Sequence, residues 1–277
     1  MGRERALERS IESAWSTVFP SGPNPFTGSA EQLWDPNKNA PALLLNATEV
    51  ETGERVVIAP WRLESLETPA LHSLSDRHPN EVPLSTAVGL SARFPFLTPA
   101  GWFSTKSGEV SLVDGGYSDN SGVATALDVI NQLKQWDDYK FIVIALVSES
   151  ARSQPNQLFA EFASPLRALD STRSARGRSA VDQAEFYLNG SRCSETAAGP
   201  GSDCITARMR TAILATGDVR LPLGWVLSSR SRQAIEASFG QSDECRKTAD
   251  LSSASPDEWQ RCHNKQLIEQ IGKDLGY

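Results

Sequence analysis

The chain has 277 residues, with 27 lysines and arginines against 34 aspartates and glutamates, which gives a formal charge of −7. This acidic balance argues against a nucleic-acid-binding protein, whose affinity comes largely from basic side chains that neutralise phosphates. Apolar residues make up 39% and charged residues 22%, close to ordinary globular usage, so a packed core is expected rather than disorder along the whole chain.

The amino-terminal segment has the pattern of an amphipathic helix. Leu7, Ile11 and Trp15 recur every four residues among charged side chains, which predicts a helix over residues 1–18. Residues 19–39 are rich in Pro, Gly, Ser and Asn and predict an irregular connection.

Two apolar, β-branched segments follow. Residues 42–48 and 55–59 flank a turn that contains Gly53, so they predict a pair of strands. Residues 84–90 are small and apolar, and the prolines at 95 and 99 forbid a continuous helix just beyond them.

The middle of the chain predicts a strand, a helix and a second strand. Residues 110–113 are the first strand, and apolar positions over residues 123–133 lie on one helical face, with Asn120 or Ser121 placed to cap the helix. Residues 141–147 form a continuous apolar run, typical of a strand buried on both faces of a parallel sheet. This order predicts a βαβ unit.

The last third of the chain is predicted to be mainly helical. Residues 155–189 suggest helix, residues 205–209 alternate as in a strand, and residues 221–225 suggest a turn. Residues 255–258 form a capping box with proline at the first helical position, and this predicts a tail helix that continues to Leu275. With no internal repeat and no linker, we expect one α/β domain over the whole chain, mainly helical from about residue 151.

Apolar runs and cysteines bear on location. The longest apolar runs are far shorter than the roughly 18 to 20 residues that cross a bilayer, and the charged start lacks a secretory signal, so the default expectation is a cytoplasmic protein. The four cysteines are too widely spaced for a zinc or redox CxxC motif. Two alternatives remain with equal weight: the cysteines form two local disulfides, or all four are thiols. They are Cys193, Cys204, Cys245 and Cys262.

Asp114, Gly115 and Gly116 form the most informative segment. Asp-Gly-Gly alone is typical of an ordinary turn. Here the aspartate directly follows a predicted strand and precedes a predicted helix, which puts its carboxylate where open α/β sheets carry their active sites. The two glycines permit a tight turn and leave room for a substrate or another backbone to approach.

With its surroundings, this segment resembles the second half of patatin-like phospholipases. The resemblance covers roughly residues 1–235 in the expected order. Its motifs are Asp114–Gly116, residues 91–95 with Pro99, residues 43–48, and residues 222–228.

The resemblance implies a serine acyl hydrolase with a Ser-Asp dyad that cleaves carboxylic esters of lipids, in a partial three-layer α/β/α fold with a mostly parallel sheet. Asp114 matches the dyad aspartate, which accepts the serine proton during attack and returns it to the leaving alcohol. Such a dyad needs no histidine, so we assign no role to His72, His78 or His263. No cofactor and no metal is expected.

The sequence departs from the family where the nucleophile should lie, because it contains no Gly-x-Ser-x-Gly elbow and no upstream oxyanion loop. Ser118 and Ser179 lie in the nearest similar segments, but both segments lack the closing glycine. We therefore expect the carboxyl-terminal part of a hydrolase, inert alone, whose serine belongs to a missing amino-terminal half. Its expected partners are that half and an acyl-ester substrate, and its location is cytoplasmic or peripheral to a membrane. A non-catalytic binding or regulatory module and one chain of a split enzyme are the alternatives.

Two further groups of side chains carry weaker hypotheses. A run of arginines suggests either a site for anionic lipid head groups or, more simply, a solvated helix face. Aromatic side chains at 102 and 103 suggest contacts with an acyl chain or positions in the core, and Arg93 suggests a place near the active site or a structural ion pair. The arginines are Arg167, Arg173, Arg176 and Arg178.

Overall fold

The computed structural model describes thirteen stretches of the chain. They are residues 3–35, 37–38, 41–61, 71–73, 82–93, 98–105, 108–133, 141–148, 160–190, 207–214, 228–239, 245 and 255–275. The chain divides into two compact units, of which the first comprises Met1–Tyr139 with Ala168–Ala180, and the second Lys140–Arg167 with Val181–Tyr277. The expectation of one domain over the whole chain stays a prediction.

The first unit begins as predicted. Helix α1 covers Arg3–Val18, and Trp15 packs against Phe19 and Phe26 with ring centroids 4.5 and 5.6 Å away. The segment that follows is irregular apart from a 3-10 turn at Pro25–Thr27 and an isolated bridge between Ser29 and Pro83. The helix and the irregular connection are both confirmed over the described residues.

A five-stranded sheet forms the centre of the first unit, in the order β3-β2-β1-β5-β4. The predicted hairpin is confirmed as β1 and β2, which pair antiparallel around Gly53, a residue with φ of +72° that only glycine adopts easily. The strands are β1 at Leu45–Glu49, β2 at Arg55–Ile58, β3 at Leu71–Ser73, β4 at Gly101–Thr105 and β5 at Gly108–Asp114.

Helices pack on both faces of this sheet. Helix α2, at Leu84–Ser91, buries Ala87 and Leu90 in one cluster with Leu112 and other apolar residues of β1 and β2. The opposite cluster contains Val57 and is covered by Val129 of helix α3, which spans Val123–Leu133. Side chains alternate between the faces of a strand, so neighbouring residues of β2 serve the two cores. The short segment 84–90 is thus a helix that ends before the two prolines.

The predicted βαβ unit is wrong. Strand β5 is bonded on both edges by antiparallel partners, β1 and β4, and β6 at Phe141–Ser148 belongs to a different sheet. Of the four pairings in the five-stranded sheet, only β2 with β3 is parallel, so the expected mostly parallel sheet is also not found in this part of the chain. An apolar run indicates a strand but does not specify its partner, and β5 pairs with the strand two residues before it.

The second unit contains a parallel pair, β6 with β7, the latter at Ala207–Leu214. The prediction that β6 is buried on both faces is wrong. Ala145 is buried, but Ile144 and Leu146 are 46% and 67% exposed. Asn189 exchanges two hydrogen bonds with the Met209 backbone, and Asn264 does the same with Ile213.

Three helices complete the described structure, and two of them match their predictions. Helix α4 covers Ala160–Gly190, with residues 168–180 assigned to the first unit, and the tail helix α6 covers Pro256–Asp274. Its capping box is confirmed, because the Ser255 and Glu258 side chains each bond the other's backbone amide. Helix α5 covers Ser229–Ala237. The predicted turn at 221–225 lies outside the described residues.

The tail carries one disulfide, between Cys245 and Cys262, whose Cα atoms are 5.4 Å apart. Of the two possibilities left open, the structure thus has a cross-link for this pair, while Cys193 and Cys204 lie outside the described residues. None of the helices in the described stretches is long and apolar enough to span a bilayer.

Candidate active site

Asp114 is the last residue of β5 and the N-cap of a tight 3-10 turn at Gly115–Tyr117. It pairs in register with Ala47 of β1, and its backbone amide donates to the Arg93 carbonyl at 3.3 Å. The Thr48 hydroxyl donates to the Asp114 carbonyl at 2.9 Å. These backbone contacts hold the aspartate at the carboxyl end of its strand, the position that the sequence predicted.

The carboxylate of Asp114 is bonded through one oxygen. Its Oδ1 accepts from the Gly116 amide at 2.7 Å and from Nη2 of Arg173 at 3.2 Å. The Asp114 side chain is 13% exposed and that of Arg173 is 11% exposed. Within the described part of the chain, Oδ2 has no hydrogen-bond donor.

Both glycines of the turn have close neighbours, which are backbone atoms at Gly115 and side-chain atoms at Gly116. A Cβ on Gly115 would overlap the backbone carbonyl of Asn46, and a Cβ on Gly116 would overlap Arg173 and the side chains of Asn120 and Asp114. Since backbone cannot move aside cheaply, the turn fits closely against β1 only with glycine at 115. The group whose close approach Gly115 allows is therefore the backbone of Asn46.

Burial raises the pKa of Asp114 above its ordinary value, and the Gly116 amide and then the Arg173 guanidinium oppose that rise. Burial likewise raises the pKa of the neighbouring Tyr117 phenol. A carboxylate whose pKa is raised binds a proton more readily than a free aspartate, which is the property required of a general base.

A second aspartate holds the end of the turn in place. The side chain of Asp119 is 1% exposed and accepts from Arg55 Nη1 at 3.3 Å and from the Thr125 amide at 3.0 Å and hydroxyl at 3.1 Å. Asn46 and Ser121 also donate to it, at 3.4 and 3.3 Å. Asp119 therefore ties the segment after Asp114 to β1, β2 and α3. Of the two predicted caps, Ser121 accepts from the Val123 amide at 3.3 Å.

The two serines in the similar segments do not contact the Asp114 carboxylate. The Ser118 hydroxyl lies 2.8 Å from the Thr48 hydroxyl and 3.3 Å from the Gly115 carbonyl oxygen, to which it donates. Ser179 is exposed on α4. Neither serine is placed to pass a proton to Asp114.

The remaining candidate residues differ in burial and in their contacts. Arg93 is buried and donates to the Pro99 carbonyl at 2.8 Å, and Trp102 is 66% exposed, so its core interpretation is wrong. Arg176 and Arg178 are exposed on α4, as the solvated-face interpretation predicts, whereas Arg173 turns to the aspartate. The side chains of Arg167 and Phe103 lie outside the described residues.

In the described stretches, no group of three or more His, Cys, Asp or Glu side chains could hold a metal ion. The chain matches no model of a known protein family, and no curated protein matches it.

Sequence reasoning found Asp114 and its glycines but missed the roles of Arg173, Thr48 and Asp119. Arg173 lies 59 residues from Asp114, and in the sequence it is one member of a basic run. The Thr125 amide is six residues beyond Asp119, outside the usual spacing of a helix cap, so no local signal announced that contact.

Proposed function

We propose that this chain is the carboxyl-terminal part of a patatin-like lipid acyl hydrolase in which Asp114 is the base of a Ser-Asp dyad. The nucleophilic serine comes from outside these 277 residues. The observation that carries the proposal is a largely buried carboxylate at the end of a sheet strand with one oxygen bonded and the other without a donor among the described residues.

Two features of the first unit support the proposal. Its sheet has α2 on one face and α3 on the other, an arrangement compatible with the three-layer α/β/α fold that the resemblance implies. The close fit of Gly115 against Asn46 explains why the motif needs glycine after the aspartate.

The proposed chemistry assigns one proton to Asp114 in each half of the reaction. Oδ2 takes the serine proton as the serine oxygen bonds to the ester carbonyl carbon, and the proton then goes to the departing alcohol as the acyl-serine forms. Water then attacks the carbonyl carbon of the acyl-serine while Asp114 takes its proton, and Asp114 passes that proton to the departing serine oxygen, which releases the fatty acid and restores the serine hydroxyl. Loss of such a base is expected to slow the reaction by roughly 10²- to 10⁴-fold.

The first experiment tests the chain alone. The 277-residue protein is incubated with p-nitrophenyl butyrate and a fluorophosphonate probe, and we expect neither turnover nor covalent labelling. Labelling of Ser118, Ser179 or any other serine of this chain would contradict the proposal.

The second experiment joins the chain to the coding sequence that precedes it. If that sequence carries Gly-x-Ser-x-Gly in frame, we expect the joined protein to hydrolyse the ester and Asp114→Asn to lose roughly 10²- to 10⁴-fold in kcat. The exposed Asp182→Asn on α4 is the matched control and is expected to retain activity. The motif in a separate neighbouring frame would indicate a split enzyme, and its absence would favour a non-catalytic module.

A further inference from the structure

Arg173 makes three contacts with the turn that carries Asp114. Its Nη2 donates to Asp114 Oδ1 at 3.2 Å, its Nε donates to the Gly116 carbonyl at 3.1 Å, and its guanidinium lies 4.8 Å from the centre of the Tyr117 ring. A guanidinium is planar and presents its donors in a fixed fork, so two simultaneous hydrogen bonds set its orientation on the turn. The aromatic face below it adds a cation–π contact.

These contacts make the two oxygens of the carboxylate unequal. Oδ1 receives both the Arg173 guanidinium and the Gly116 amide, while Oδ2 has no donor among the described residues. Hydrogen bonds that involve an ion are the strong ones, so rotation of the carboxyl group would break two of them. The rotation of Asp114 is thereby restricted, and Oδ2 is the oxygen left to accept a proton.

We propose that Arg173 is a positioning residue for the base: it holds Oδ1 of Asp114 together with the Gly116 amide and so presents Oδ2 to the hydroxyl that is to be deprotonated. This inference rests on the proposed function, because it names a further residue of the same site. Arg173 acts through Asp114 and through the turn, and it is not assigned a contact with the substrate.

Charge gives Arg173 a second effect on the same group. Burial raises the pKa of Asp114 and the Arg173 guanidinium opposes this, so the arginine favours the ionised carboxylate that can act as a base. An arginine without contact to Asp114 would leave the titration of this carboxylate nearly unchanged when replaced. The titration therefore tests the contact between the two side chains, and the kcat of the joined protein tests the positioning of the base.

The first test uses the 277-residue chain with ¹³C-labelled aspartate, in which the Asp114 carboxyl signal is assigned by its loss in Asp114→Asn. We expect Arg173→Met to move the titration of Asp114 to higher pH and Arg173→Lys to move it less. Arg176→Met, an exposed arginine three residues further along α4, is the matched control and is expected to leave the titration unchanged. An Asp114 titration in folded Arg173→Met that matches the unmodified chain would overturn the proposal.

The second test measures ester hydrolysis by the joined protein that carries the serine. We expect Arg173→Met to lower kcat by roughly 10²-fold with KM unchanged, since small misplacements of a reacting group cost about that much. If Arg173→Met does not fold, Arg173→Lys decides the question. Its single ammonium cannot reproduce the two-pronged contact, so a kcat equal to that of the unmodified enzyme would overturn the proposal.

The two proposals fail differently. An active joined protein whose Arg173 variants are as fast as the unmodified enzyme would overturn the positioning role and leave the proposed hydrolase intact. An unmodified joined protein with no activity would overturn the proposed function and, with it, the role of Oδ2.

Discussion

Asp119 offers the sharpest test of how the turn after β5 is held. Its carboxylate is 1% exposed and accepts hydrogen bonds from four residues, including Arg55, whose own side chain is 12% exposed. Arg55 also pairs with Asp128, so its guanidinium keeps a partner when Asp119 is removed, and the cost falls mainly on the buried Thr125 amide that loses its acceptor. A buried donor left without an acceptor costs about 1 to 3 kcal/mol. We therefore expect Asp119→Ala to lower the free energy of unfolding by about that amount, against roughly 5 to 15 kcal/mol for a typical domain.

Urea denaturation followed by circular dichroism measures the loss, and hydrogen exchange of the Thr125 amide reports it locally, since that amide donates to Asp119. Asp182→Ala, an exposed acid on α4, is the control and is expected to stay within about 0.5 kcal/mol. In a double-mutant cycle, Arg55→Met with Asp119→Ala should cost less than the two single losses added together, because each change removes the other's partner. A loss below about 1 kcal/mol for Asp119→Ala would refute the reasoning.

Three further changes test other parts of the chain. Gly115→Ala should cost about 1 to 3 kcal/mol in urea denaturation, because its Cβ overlaps the Asn46 carbonyl; unchanged stability would contradict the close fit. Replacing Cys245 and Cys262 together by alanine opens a loop with a sequence separation of 17 and should cost about 3 kcal/mol in thermal unfolding. The reduced protein serves as the comparison, and equal melting of the oxidised and reduced forms would contradict stabilisation by this cross-link. The hydrogen bond from the backbone amide of residue 255 lowers the pKa of Glu258. The stability that this carboxylate adds is therefore present above its ordinary titration range and is lost as the pH falls through its pKa in the folded state. The difference in melting temperature between the unmodified chain and Glu258→Gln should shrink on acidification, and a constant difference would argue against the hydrogen bond.

Local patterns predicted those elements whose cause is local. The hairpin of β1 and β2 follows from β-branched residues around Gly53, and the tail helix follows from a complete capping box at Ser255. Both depend on residues within a few positions of each other, so the sequence contains the whole signal. The position of Asp114 at the end of a strand was predictable for the same reason.

Pairing and partners over long distances were not predictable in this way. Strand β4 was missed because five mixed residues carry no clear alternation, and without it β5 was given the wrong neighbour. The contact of Arg173 with Asp114 depends on how a distant helix packs, and the basic run around it is equally typical of a solvated face. The site could therefore be located from the sequence, but the side chains that orient it could not.

The uncovered side of β6 has a practical consequence. Ile144 and Leu146 lie in water on a strand that, in the described stretches, pairs only with β7, and apolar strands exposed in this way favour self-association of the purified protein. Light scattering of concentrated samples should detect it. Leu146→Lys places a charge on the exposed face of β6. It should improve solubility without changing the site around Asp114.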